Sequence, residues 1–342
     1  MTAPVKRWFV TAPAPAHTFD GIGDYADRLA RALSAMVPTT VFVGGRDDPP
    51  DADAVAGVWH QYSPSARSHD GDRWVRRMAS EGQPTFVTIH EYWPPPDGSL
   101  RRLISRWQHR RRLSRVVARA AGVIVTQEIA ARELREAGVV GDRPLYVIPV
   151  GSNITEGRSA VARTGGLVLF GQPAAMQPAA LSALARWLDA PGRPPLTWLG
   201  RSVDELQAAW QAAGGTRAQV TLRGASADGD VAAVLANATL GLAPYADGVS
   251  ARRTTLAAML QHGVPVAGLR GVATDSWLGG DAGLELVADD RPSDFVALVA
   301  RLCDDAEARE RAGRRGRVIF EQRMTWERIA AAYAQILDGQ RS

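Results

Sequence analysis

The sequence predicts an α/β protein: two doubly wound, Rossmann-like domains facing each other across a cleft. Three observations carry this expectation. The chain of 342 residues is long enough for about two domains of roughly 150 residues, each with its own core. Short runs of Val, Ile and Leu alternate with amphipathic stretches, the pattern of parallel strands covered by helices. Periodicity is lost once near the middle, in a stretch rich in Gly, Ser, Thr and Arg from Gly151 to Gly166 that reads as a linker. The expected division is a first domain at 1–152, a linker at 153–165, a second domain at 166–322 and a last helix within 323–342.

The first domain should hold strands at Trp8–Thr11, Thr40–Val43, Val55–His60, Thr85–Ile89, Gly122–Thr126 and Leu145–Pro149. Between them, helical spacing of apolar residues runs over Gly23–Met36, Arg73–Ser80, Leu100–Ala121 and Ile129–Ala137. The second domain repeats the alternation, with strands at Leu167–Phe170, Leu196–Leu199, Gln219–Leu222, Leu240–Ala243, Val264–Ala267 and Leu284–Val287. Its helices are expected at Pro178–Leu188, Val203–Ala213, Asp230–Ala236, Ala251–His262, Ser293–Asp304 and Glu307–Phe320. A final helix over Thr325–Leu337 would be capped by Thr325, with Arg328 rather than an acid at the capping-box position. Open parallel sheets bind ligands beyond the carboxyl ends of their strands, so the loops after each strand and the cleft between the domains are the places to search.

Composition narrows the chemistry. Hydrophobic residues at 46% and charged residues at 22% are ordinary for a globular chain and exclude a fibrous or mainly disordered one. Cys303 is the only cysteine, so neither an internal disulfide nor a cysteine-built zinc site can form, which points to a reducing, cytoplasmic setting. Met1–Trp8 lacks the features of a signal peptide, and the longest uncharged stretch, Thr164–Ala185, is broken by Gly171, Pro173 and Pro178. No membrane crossing is expected. Under the net charge of +4 lies an asymmetry: Lys6 is the only lysine, and the other 39 basic residues are arginine. Schiff-base or P-loop lysine chemistry is therefore nearly excluded. A phosphate would be gripped by guanidinium forks, backbone amides or helix ends.

Four segments could carry chemistry. After the first strand, Gly21-Ile22-Gly23-Asp24-Tyr25-Ala26 opens a helix and matches G-x-G-x-x-[GA], but about ten residues separate it from the strand. A dinucleotide fingerprint follows its strand at once, which leaves a Gly-rich helix start or a ligand loop exposing amides at a positive helix end. The fourth strand ends in His90-Glu91-Tyr92-Trp93 and three prolines, placing His90 and Glu91 where a sheet presents groups to ligand; the imidazole is either a satisfied structural group or a donor to a sugar hydroxyl. Leu100–Ala121 carries eight arginines and no acid, with Leu103, Ile104, Trp107, Leu113, Val116 and Val117 roughly on one face. Such a helix is a solvated face over a packed one, a peripheral contact for an anionic membrane, or a contact for nucleic-acid phosphates, the least favoured of the three. Leu240–Leu256 runs from a buried strand through Pro244-Tyr245 and a polar loop to a helix expected to begin near Ser250 and to end at Gly263. Arg252 and Arg253 would then sit in its first turn, where cations are disfavoured unless an anion joins them.

Taken together these segments resemble the retaining group-1 glycosyltransferases of GT-B fold, the large family that includes bacterial mannosyltransferase and glycogen-synthase-like enzymes. The matching stretches are Gly21–Tyr25, Thr88-Ile89-His90-Glu91, Val123–Glu128, Val147–Asn153, and Ala243-Pro244-Tyr245 through Gly263–Val266. The resemblance implies a second domain that holds a nucleotide-diphosphate sugar, a first domain that presents the acceptor, and a last helix crossing back to the first domain. It also implies transfer with retention of anomeric configuration, without metal and with no cofactor beyond the nucleotide sugar. Carried onto this chain, His90, Glu91 and Ser250 become the catalytic candidates. The donor and diphosphate residues become Gly21, Gly23, Gly171, Gln172, Arg201, Arg223, Gly248, Val249, Arg252, Arg253 and Thr254, with Leu222–Gly224 near the base. Asp24, Tyr25, Tyr92 and Gln127 become the acceptor contacts. The chain departs from the pattern as well. Gln172 follows Gly171 where members carry Arg, no lysine comes after it, and Ser250 and Ala258 stand where members carry two glutamates. A divergent subgroup in which paired arginines supply the missing cations would account for this; a non-catalytic nucleotide-sugar binder or partner subunit is the alternative.

Overall fold

A computed structural model describes residues 6–12, 21–44, 46–64, 69–93, 98–155, 163–216 and 220–339. The prolines after Trp93, most of the expected linker and Gln219 lie outside the described residues. The chain divides into two compact units, the first comprising Met1–Pro149 with Trp326–Ser342 and the second Val150–Thr325.

The first unit is a six-stranded parallel sheet of β1 (Arg7–Ala12), β2 (Thr39–Val43), β3 (Val55–Tyr62), β4 (Thr85–Ile89), β5 (Gly122–Val125) and β6 (Leu145–Val147), in the order β2-β1-β3-β4-β5-β6. The helices are α1 (Gly21–Leu33), α2 (His69–Ser80), α3 (Leu100–Val117) and α4 (Glu128–Glu136). The central strands β1, β3, β4 and β5 are largely buried because helices cover the sheet, whereas the edge strand β6 is not. An aromatic stack binds the central strands: the Trp8 and Trp59 rings lie 5.1 Å apart and those of Trp59 and Phe86 4.5 Å apart. Gly57 makes room for it, since a Cβ there would fall 2.3 Å from the Trp8 ring.

The second unit repeats the design with β7 (Leu167–Phe170), β8 (Leu196–Leu199), β9 (Val220–Arg223), β10 (Leu240–Ala243), β11 (Val266–Arg270) and β12 (Leu284–Ala288), ordered β12-β11-β10-β7-β8-β9. Its helices are α5 (Pro178–Leu188), α6 (Val203–Ala212), α7 (Asp228–Asn237), α8 (Thr254–Gln261), α9 (Pro292–Asp304) and α10 (Ala306–Arg323). The last helix, α11 (Trp326–Gly339), belongs to the first unit. The Tyr333 hydroxyl ties it there, lying 3.1 Å from the Tyr25 hydroxyl of α1 and 2.8 Å from Thr88 Oγ1 of β4.

The structure moves several expected boundaries. The division between units falls at Pro149/Val150 rather than after 152, because the Val150 amide donates to the Ala251 carbonyl of the second unit. Helix α2 starts at His69, four residues early, and α3 stops at Val117. The change that matters most for function is at α8. It starts at Thr254, with Arg253 as its N-cap residue, so Arg252 and Arg253 precede the first turn instead of occupying it. Segment Ser250–Arg253 is held out of the helix by two bonds: Ala251 donates to Asp275 Oδ2 at 2.6 Å, and the Arg253 amide closes a turn on the Ser250 carbonyl.

Candidate donor and sugar-contact sites

In each sheet the chain leaves its first strand in one direction and later continues in the other, and ligands favour the crevice at that switch. In the second unit the switch lies between β7 and β10. The loops after these strands are laced together: Gln177 donates to the Pro244 carbonyl, Ala246 donates to that of Ala175, and Tyr245 sends its hydroxyl to Phe170 O at 3.3 Å. Gly171 thus lies against Tyr245, whose ring carries the Arg253 guanidinium; Gln172 follows in the loop after β7, while Gly248, Val249, Ser250, Arg252 and Thr254 lie in the loop after β10 and at the start of α8. Arg201 and Arg223 follow along the same edge, at the ends of β8 and β9, exposed.

The two arginines share one carboxylate. Arg252 Nη2 reaches Asp247 Oδ2 at 2.9 Å, Arg253 Nη2 pairs with Asp247 Oδ1, and the Arg253 guanidinium lies 4.0 Å over the Tyr245 ring. Two positive groups facing one negative group leave the loop with one net positive charge. The Nε atoms of both arginines are buried with no hydrogen-bond partner, an arrangement that proteins seldom leave unexplained. Arg253 also gives α8 no side-chain cap, so the first amides of the helix are left uncapped. Not all of the expected amides are available: Gly248 donates to Tyr245 O and Val249 to Leu269 O. Ser250 and Ala258 are both fully buried, and the Ser250 Oγ has no partner. Ser250 therefore faces packed protein in this conformation, and Ala258 belongs to the core of α8.

Three residues of this loop system escaped the sequence reading. Asp247 is the shared counter-ion, Thr255 holds the Tyr245 hydroxyl at 2.9 Å, and Asp275, 1% exposed, fixes the Ala251 amide. The only signal for Asp275 was its place in the loop after a strand.

The first unit carries the other predicted residues at the carboxyl end of its sheet. His90 Nε2 lies 2.9 Å from Gln61 Oε1, and the Gln61 amide nitrogen is spent on Trp59 O. That orientation of the amide requires His90 to donate from Nε2, leaving Nδ1 as an acceptor. Burial, helped by His60 nearby, pushes the His90 imidazole down to about 4. The imidazole is thus neutral, and the nitrogen it leaves over is an acceptor rather than the donor expected from the sequence. Tyr25 packs edge-on against His90 with centroids 4.7 Å apart and is 2% exposed. In this conformation it supports His90 and cannot meet an acceptor. Glu91 accepts from Ser63 Oγ, Tyr92 packs edge-on against Trp93, and Gln127 is 6% exposed with an unpartnered Oε1. Gly21, Gly23 and Asp24 form the first turn of α1; a Cβ at Gly21 would meet nothing within 4 Å.

Behind His90 runs a buried relay that the sequence did not announce. The Gln61 backbone N–H donates to Thr11 Oγ1, which lies 2.7 Å from His60 Nδ1, and His60 Nε2 lies 3.1 Å from Asp72 Oδ1. Arg112 Nε and Nη2 both donate to Asp72 Oδ2, at 2.9 and 2.8 Å. Burial raises the Asp72 carboxyl, but the bonds from His60 and Arg112 outweigh it and hold the group below its usual range.

The depressed His90 has a consequence for stability. The unfolded imidazole takes a proton near 6.5 and the folded one only near 4, so folding is favoured above pH 6.5 and loses that advantage as pH falls through the window. Unfolding free energy is expected to drop by about 2 kcal/mol between pH 7.5 and pH 5 from this group alone. Urea unfolding of the parent and of His90→Gln at both pH values checks it: the variant should lack this drop, and an unchanged slope would sink the assignment.

Among the described residues, no group of three or more His, Cys, Asp or Glu is placed to hold a metal, and no helix is long and apolar enough to cross a membrane. No protein-family profile and no curated protein matches the sequence. Solved structures do. Sucrose-phosphate synthase from Thermosynechococcus elongatus is similar with a TM-score of 0.74 at 13% identity, over 98% of this chain and 99% of that one. HepE from Anabaena, in complex with UDP and glucose, gives 0.68 at 13% identity, over 98% and 100%. WaaG, a glycosyltransferase involved in lipopolysaccharide biosynthesis, gives 0.63 at 16% identity, over 96% and 99%.

Proposed function

Because the chain has the GT-B fold, we propose that it is a glycosyltransferase moving a sugar from a nucleoside-diphosphate donor to an acceptor hydroxyl, with retention of configuration and without a metal. The observation that supports this reading most is the paired arginines before α8, with their orphaned Nε donors and one net positive charge at the switch point of the second sheet. A diphosphate is the group such a place would take, and HepE, of like fold, was solved with UDP and glucose. In the transfer, the bond between the anomeric carbon and the diphosphate oxygen breaks, the acceptor oxygen bonds to that carbon, and negative charge builds on the departing diphosphate. Arg252, Arg253 and the first amides of α8 stabilise that charge as it develops. Neutral His90, oriented by Gln61 and Tyr25, offers an acceptor nitrogen to a sugar hydroxyl.

The alternative, a binder without turnover, draws support from Ser250 and Ala258, which put no carboxylate at either place where the family the sequence resembles carries a glutamate. A melting panel with UDP, GDP, ADP and dTDP and their sugars decides between readings. A donor at a hundred times its Kd should stabilise by about 2.7 kcal/mol. Stabilisation accompanied by slow hydrolysis or transfer supports the enzyme, stabilisation alone supports the binder, and no response to any nucleotide removes both.

The acceptor side carries a proposal too. Helix α3 starts at the carboxyl end of its sheet and exposes Leu100 (72%), Leu103 (54%), Ile104 (49%) and Trp107 (59%) at i, i+3, i+4 and i+7, among Arg101, Arg102, Arg106, Arg110 and Arg111. An apolar ridge set in arginines suits an anionic bilayer. Flotation with phosphatidylglycerol vesicles should carry the parent up and leave a Leu103→Asp, Trp107→Asp variant behind; equal flotation of the two would discard the contact.

A further inference from the structure

At the opposite end of the first unit's sheet, away from His90 and Gln127, α2, the end of α3 and the turn after it border an open cavity of about 390 Å³ lined by Arg73, Arg76, Arg77, Arg115 and Arg119, with Ser80 and Ala118. No carboxylate lines it. Arg73 stands three and four residues before Arg76 and Arg77 in α2, so like charges are stacked along that helix at a cost of a few tenths of a kcal/mol per pair, and Arg119 follows Arg115 by four residues in the turn after α3. Arg77 Nε is paired with Glu81 at 2.7 Å, and the nearby Asp72 is committed to His60 and Arg112. Arg76 Nε turns back to Asp72 O in its own helix. Arg115 and Arg119 make no ion pair or hydrogen bond with any described residue.

Guanidiniums often gather where helices end, because their carbonyls attract cations. That explanation covers Arg77 and Arg115, which lie in the last turns of α2 and α3, but not the whole cluster. The Ala118 carbonyl at the end of α3 is already taken by Arg143 from elsewhere in the unit, and Arg73 stands well before the end of α2. What remains is a concave, strongly positive pocket of the volume range that small ligands use, built from the side chain that best matches phosphate oxygens.

We propose that this pocket binds a ligand carrying two or more phosphate groups, distinct from the donor diphosphate at α8. Its place at the far end of the sheet makes it a regulatory or anchoring site. A free oligophosphate and a clustered lipid phosphate monoester would satisfy it by the same chemistry. The proposal does not depend on the transferase reading, and it is tested in an Arg252→Ala, Arg253→Ala background so that the donor loop contributes nothing.

Calorimetric titration of that protein with tripolyphosphate should show one saturable site. In the same background, Arg115→Gln with Arg119→Gln should weaken it by about tenfold or more per guanidinium lost, whereas Arg101→Gln with Arg102→Gln should leave it unchanged. The Arg115, Arg119 variant should melt no lower than its parent, since it relieves repulsion. Vesicles of phosphatidylcholine with phosphatidic acid, compared with phosphatidylglycerol at equal charge, form the second arm. Tripolyphosphate binding alone identifies a soluble ligand. A preference for phosphatidic acid that disappears with Arg115 and Arg119 identifies a lipid headgroup. Binding that survives loss of both arginines, or no binding in either arm, overturns the proposal.

Discussion

Replacing both Arg252 and Arg253 by Ala is expected to abolish measurable donor binding. The two guanidiniums share Asp247, at 2.9 Å from Arg252 and in contact with Arg253. Losing one arginine leaves a neutral pair; losing both leaves an uncompensated carboxylate at the place proposed for the diphosphate. The loop's charge therefore runs from one positive through zero to one negative. Hydrogen bonds to charged groups contribute about 1.5–3 kcal/mol each, so each single variant should weaken the nucleoside diphosphate by roughly tenfold or more and the double variant by well over a hundredfold. Loss should also be steeper for Arg253, the more deeply set of the two, with 12% of its side chain exposed against 34%. Titration of the nucleotide identified by the melting panel, repeated at two salt concentrations, provides the measurement. A double variant that binds the nucleotide like the parent would remove the clamp and with it the main physical support for the enzyme.

The second large effect belongs to the backbone beneath the clamp. Gly248 has φ +90°, a conformation side chains rarely adopt, and a Cβ there would fall 2.3 Å from the Gly271 amide nitrogen and 2.4 Å from Thr274 Oγ1. The neighbour is largely backbone, so it cannot swing aside. Gly248→Ala combines conformational strain with overpacking, each of about 1–3 kcal/mol, for an expected loss of about 2–6 kcal/mol. For a unit of this size that lowers Tm by roughly 5–20 °C. Because Asp247 and Val249 flank the site of strain, nucleotide affinity should fall with it. Gly21→Ala, where a Cβ meets nothing, serves as the control and should leave Tm within about 2 °C. Should Gly248→Ala melt with the parent, the close approach of the 245–250 and 271–275 loops would be wrong.

The alternation of apolar runs and amphipathic stretches was enough to reveal two parallel sheets, because a strand buried on both faces must be apolar throughout, and that requirement is written in consecutive residues. Residues at the carboxyl ends of strands, such as His90 and Gly171, were legible for the same reason: the end of an apolar run marks them. Helix ends were less legible. The start of α8 was read near Ser250 from its polar loop, but Asp275, from a different loop, takes the Ala251 amide and delays the helix to Thr254.

The sequence by itself thus determined the layered architecture, the strand-end loops and a chemistry of arginine without lysine. Only the tertiary structure decided which groups are free to act. It paired Arg252 and Arg253 with Asp247, buried Ser250, held His90 neutral with its Nε2 proton directed at the Gln61 side-chain carbonyl oxygen, and gathered five arginines from α2, the end of α3 and the turn after it around one cavity. Periodicity is a local property that neighbouring residues encode together. Protonation, counter-ions and exposure are set by side chains tens or hundreds of positions away, brought close only when the sheets form.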